Sequence, residues 1–69
     1  MNPLKRQVNG SHYRDFVIQP VEFIHKNGLG FIQGNIIKYA CRLGKKGKIE
    51  DDVKKIIHYA ELYLVLQGK

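Results

Sequence analysis

The chain has 69 residues, with twelve Lys and Arg against six Asp and Glu, for a net charge of +6. At this length only one domain fits, and it buries roughly 60% of the surface its unfolded chain exposes, which leaves its stability marginal. A lone Cys41 excludes an internal disulfide, and His12, His25 and His58 form no metal-ligand spacing with it. Self-association is the stabilising device that remains. The charge surplus points to an anionic partner. No apolar run is long enough to span a membrane, and Met1 to Arg6 has no apolar stretch behind its charges. A free thiol and no export signal lead us to expect a protein of the cytoplasm.

Residues 1–19 contain Pro3, Gly10, Ser11 and scattered polar residues. They read as an irregular N-terminal arm, with an extended stretch at Phe16-Val17-Ile18. Residues 20–69 read as the helical domain. Pro20 suits the first turn of a helix, where its missing N–H costs nothing. That helix is expected over about 20–27, ended by Gly28 and Gly30. A second helix is expected over about 31–43. Ile32, Ile36, Tyr39, Ala40 and Leu43 share one side, and Asn35, Lys38 and Arg42 form a polar stripe on another. Gly34 lies inside this helix at a cost of up to about 1 kcal/mol, so something must approach it closely, a helix or a ligand.

Gly44-Lys45-Lys46-Gly47-Lys48 forms a short basic linker. A third helix is expected over about 50–67. Glu50, Asp51 and Asp52 sit at the end of the helix dipole that favours acids, with Lys54 and Lys55 four residues after the first two. Val53, Ile56, Ile57, Ala60 and Leu64 read as its core stripe. Tyr59 to Leu66 is apolar nearly all round, a second argument for a homo-oligomer. The fold class expected is all-α: three helices behind an irregular arm.

The strongest chemical signal is the run from Gly34 to Gly47. It places Lys38 and Arg42 on one helix face and leads into a turn of glycines and lysines. Glycines let backbone N–H groups approach phosphate oxygens, lysines supply point charge, and arginine can grip phosphate with two nitrogens. This is not a Walker A loop, because the required Gly-x-x-x-x-Gly-Lys-Ser/Thr is absent. In the arm, His12-Tyr13 pairs an imidazole with a ring able to stack on a base. His58 reads as a structural residue on the polar face of the third helix. Cys41 reads as a small buried hydrophobe. The acids read as capping and ion-pairing groups, and no nucleophile-base-acid arrangement is visible.

His12-Tyr13, Pro20, Glu22, the run Gly34-Asn35-x-Ile37-Lys38-Tyr39-x-x-Arg42-x-Gly44-Lys45-Lys46-Gly47, then Asp52-Val53-Lys54-Lys55 and Tyr59 carry a resemblance. Over roughly residues 8–65 the chain resembles a small-domain family spread through bacteriophage genomes and long described as of unknown function. Some members bear the name of phage nucleotide kinase, after a larger enzyme that phosphorylates deoxynucleoside monophosphates without a Walker loop. The resemblance implies a site of His12, Tyr13, Asn35, Lys38, Tyr39, Arg42, Lys45, Lys46, Asp52 and Lys55, in which all but Asp52 read as ligand-binding and Asp52 is open to a metal role.

Three functions follow. The first is a phage accessory protein that binds a nucleotide or cyclic nucleotide, sequestering an immune signal in the host cytoplasm without turnover and without a cofactor. The second is a nucleoside monophosphate kinase, in which Lys38, Arg42 and Lys45 neutralise charge and Asp52 holds Mg²⁺. The third is a nucleic-acid binder, which the charge permits but which lacks a clear recognition helix.

Overall fold

The computed structural model describes residues 16–45 and 47–68. Three helices follow one another: α1 over Pro20–Lys26, α2 over Phe31–Arg42 and α3 over Ile49–Gly68. The described residues contain no strand. The stretch Phe16-Val17-Ile18 bends rather than extends, with Val17 and Ile18 exposed. Among the described residues there is no strand for it to pair with. The arm before it, residues 1–15, lies outside the described residues.

Pro20 occupies the start of α1 with Glu22 in its first turn, where both residue types suit the exposed N–H groups. Its other end closes in a Schellman motif. Gly28 adopts φ 64°, its N–H donates to the His25 carbonyl, and the Leu29 N–H reaches back to the Ile24 carbonyl at 3.0 Å. The motif turns the chain sharply, so that α2 starts a few residues later. There the Gly30 N–H donates to Gln33 Oε1 at 3.2 Å, one half of a capping box.

α2 ends differently. Arg42, Leu43, Gly44 and Lys45 form a type II turn: Leu43 at φ −53°, ψ 127°, Gly44 at φ 77°, and the Lys45 N–H on the Arg42 carbonyl at 2.9 Å. Only a residue comfortable at positive φ fits the third place, which is why glycine stands there. α3 then folds back on α2 as a helical hairpin, and α1 packs on α2 from elsewhere. Gly34 is the contact point with α1. A Cβ at this position would lie 3.1 Å from Ile24 Cγ2. The close neighbour expected at Gly34 is therefore another helix.

The inward faces differ from the expected ones. On α2, Ile32, Ile36 and Tyr39 are half-buried, but Ala40 and Leu43 are exposed, and Cys41 is half-buried rather than fully buried. On α3 the stripe is rotated. Of the expected stripe only Ile56 turns inward, joined by Asp52, Tyr59 and Leu62, while Val53, Ile57, Ala60 and Leu64 face solvent. Either stripe has helical spacing, so α3 alone does not choose between them. The partner helix does. Tyr39 and Arg42, three apart on α2, present a ring and a cation, and Tyr59 and Asp52 answer them with a ring and a carboxylate. Among the described residues no hydrophobic side chain is fully buried, and the most enclosed side chain is that of Asp52, at 1% exposure.

Candidate functional site

The hairpin places a salt bridge at its base. Arg42 Nε lies 3.3 Å from Asp52 Oδ1, with Asp52 sealed from solvent. The contact is an ion pair without hydrogen-bond alignment, since Arg42 Nε and both Asp52 carboxylate oxygens lack a hydrogen-bond partner among the described residues. A carboxylate is tolerated in such a place only beside a cation. Asp52 thus anchors the Nε edge of the guanidinium. Gly47, at φ 73°, lies beside the same guanidinium, where a Cβ would come within 3.6 Å of Arg42 Nη2.

One turn up α2, the Tyr39 ring stacks on Tyr59, with centroids 6.1 Å apart and planes 17° apart. Phe31 meets the same Tyr59 edge-on at 6.2 Å. Three cations surround Tyr39: Lys55 Nζ at 4.9 Å from the ring centroid, Lys38 Nζ at 5.6 Å and the Arg42 guanidinium at 5.7 Å. Aromatic faces attract cations, which keeps the three charges close despite their mutual repulsion. The only ion pair among these three within the described residues is that of Arg42 with Asp52. Lys54, by contrast, pairs with Glu50 at 3.0 Å, and Lys26 with Glu22 at 2.9 Å.

Lys38 also lines a groove between α1 and α2. This groove has a volume of about 410 Å³ and a largely apolar lining that includes Pro20, Ile24, Leu29 and Phe31, with Gln19, Asn35 and Lys38 as polar members. The Asn35 side-chain amide donates to the Phe31 carbonyl at 2.8 Å, which fixes its plane and leaves its oxygen to accept. Groove and cation cluster are therefore one continuous surface joined at Lys38.

The sequence-based site residues fall into three groups. Asn35, Lys38, Tyr39, Arg42 and Lys55 come together. Lys45 stands apart from Tyr39, its Nζ 5.0 Å from the Phe16 ring centroid. His12, Tyr13 and Lys46 lie outside the described residues. His58 is exposed, beside Tyr59. Sequence reasoning missed Tyr59 as the platform under Tyr39, and missed the pairing of Arg42 with Asp52. The available signal was the seven-residue spacing of Asp52 and Tyr59, which puts them on one face. No group of three or more His, Cys, Asp or Glu able to hold a metal occurs among the described residues. None of their helices is long and apolar enough to cross a membrane.

The model of a family described as a protein of unknown function, DUF3310, matches residues 7–61. The chain belongs to this family. The matched span contains the turn, the ion pair, the cation cluster and the groove residues, and stops before the last turns of α3. No curated protein and no solved structure matches the chain significantly.

Proposed function

We propose that this protein binds a phosphate-bearing, nucleotide-type ligand and holds it without turnover. The observation that carries the reading is the convergence of Lys38, Arg42 and Lys55 on one tyrosine, with Asp52 as their single charge partner among the described residues. Three cations beside one carboxylate leave a local positive surplus, and a polyanion relieves it. Arg42, held at Nε by Asp52, offers its remaining N–H groups as a fork for phosphate. Lys38 and Lys55 add point charges. The adjoining groove offers an apolar slot with the Asn35 oxygen as acceptor, suited to the less polar part of such a ligand. In this reading the protein is a homo-oligomeric phage accessory protein, and the ligand is a nucleotide or cyclic nucleotide immune signal that it sequesters.

The burial of Asp52 against Arg42 favours binding over kinase chemistry, because a Mg²⁺ ligand needs to face the phosphates and this carboxylate faces an arginine. The test is calorimetry with mono-, di- and cyclic nucleotides, paired with an assay for ATP-dependent phosphorylation on the same preparation. Stoichiometric binding with the nucleotide recovered unchanged is the expected result. Steady product formation would replace the reading with the kinase. Binding to long DNA or RNA alone, falling steeply with salt, would replace it with a nucleic-acid binder.

A further inference from the structure

The outward face of α3 carries a line of apolar side chains that the fold leaves open. Ile49, Val53, Ile57 and Leu64 are 56%, 37%, 51% and 71% exposed, and Ala60, between the last two, is exposed as well. Their spacings of four, four, three and four residues keep them on one side of the helix, turned well away from the face that Asp52, Ile56 and Tyr59 present to α2. Such a stripe along a 20-residue helix has the pattern of a helix-pairing seam.

We infer that this stripe pairs with the same stripe of a second copy, α3 running antiparallel to α3 about a twofold axis. The inference deepens the homo-oligomer part of the reading above and does not depend on which ligand binds. Two observations choose this occupant. The first is the charge beside the stripe. Lys54 and Glu61 lie seven residues apart on the same flank, and both are exposed; the Lys54 ammonium pairs with Glu50 of its own helix through a solvent-exposed contact and can reach a second carboxylate. In an antiparallel pair with Val53 against Leu64 of the second copy, and Ile57 against Ala60 of the second copy, each Lys54 comes beside Glu61 of the other chain. The twofold axis makes that contact twice. A parallel pair would instead bring Glu50 of both copies together and align the two helix dipoles. The second observation is the lack of any fully buried hydrophobic side chain among the described residues. Burial of apolar surface is the main force available to a small domain, and here much of that surface faces outward on one helix. A second copy is present wherever the chain is made, and Ala60 opposite Ile57 gives the small-against-large fit that close helix packing needs.

The test is sedimentation equilibrium of the full chain, with helix content followed by circular dichroism. The expected mass is at least twice the 8.0 kDa of one chain. Ile57→Glu places an unpaired carboxylate in the seam twice and should weaken association by about a hundredfold or more. Lys54→Glu and Glu61→Lys should each weaken it by about fivefold, and the double variant Lys54→Glu/Glu61→Lys should restore it, as exposed pairs do in mutant cycles. If Ile57→Glu fails to fold, the restoration in the double charge swap decides the matter. A helical monomer at every attainable concentration overturns the inference, and so does an oligomer indifferent to both the Ile57 and the charge-swap variants. Nucleotide titration of the same samples keeps the two proposals separate. A monomer that still binds nucleotide defeats only the interface, and a responsive dimer that binds none defeats only the ligand.

Discussion

Asp52→Ala should unfold this protein far more readily than the loss of one surface charge would suggest. The Asp52 carboxylate is 1% exposed and sits against Arg42, whose own side chain is 24% exposed. Removing one partner of a buried ion pair typically costs about 3–5 kcal/mol, because the other is left charged and unpaired. Arg42 retains some contact with water and can turn toward it, so we expect the low end, about 3 kcal/mol. A 69-residue domain has a total stability of roughly 3–10 kcal/mol, so this one change removes a third of it or more. The pairing makes a second, sharper claim. Arg42→Met/Asp52→Leu removes both charges and fills the space with apolar groups, an exchange that is often neutral or stabilising. The double variant should recover most of the stability lost by Asp52→Ala while losing affinity for a phosphate ligand. The assay is urea unfolding followed by circular dichroism at one fixed protein concentration, since the self-association proposed above would make apparent stability depend on concentration. A cost below about 1 kcal/mol for Asp52→Ala, the value of a surface pair, would refute the reasoning, because the rotation of α3 could not then be attributed to this pair.

Three further outcomes are expected. Lys38→Ala and Lys55→Ala should each weaken nucleotide binding by about tenfold or more, the worth of one charged hydrogen bond, while unfolding midpoints change little; unchanged affinity in calorimetry would remove both residues from the site. Gly34→Leu should cost about 1–3 kcal/mol by forcing α1 off α2 at Ile24. Gly34→Ala should fall within about 1 kcal/mol of the parent, since its helix preference offsets the 3.1 Å contact, and thermal melts read both. Gly44→Ala should cost about 1–2 kcal/mol because φ is 77° in the type II turn, with Gly44→Asn losing less, again by thermal melts.

Local signals in the sequence determined the three helices and their limits. Pro20, Gly28 and Gly44 act on the backbone through their own permitted angles, without reference to distant residues, and the observed limits lie within about a residue of those expected. The density of Lys38, Arg42 and neighbouring lysines, and the demand of Gly34 for a close neighbour, were legible for the same reason. The phase of α3 was not. Val53-Ile57-Ala60-Leu64 and Asp52-Ile56-Tyr59 are both regular stripes, and hydropathy favours the first as the core. Only the tertiary structure decided for the second, because the facing helix offers Arg42 and Tyr39. A cation and a ring there select a carboxylate and a ring in return. The joining of the cation cluster to the groove at Lys38 also depends on how α1 and α3 sit on α2, and the periodicity of a single helix contains no information about its neighbours.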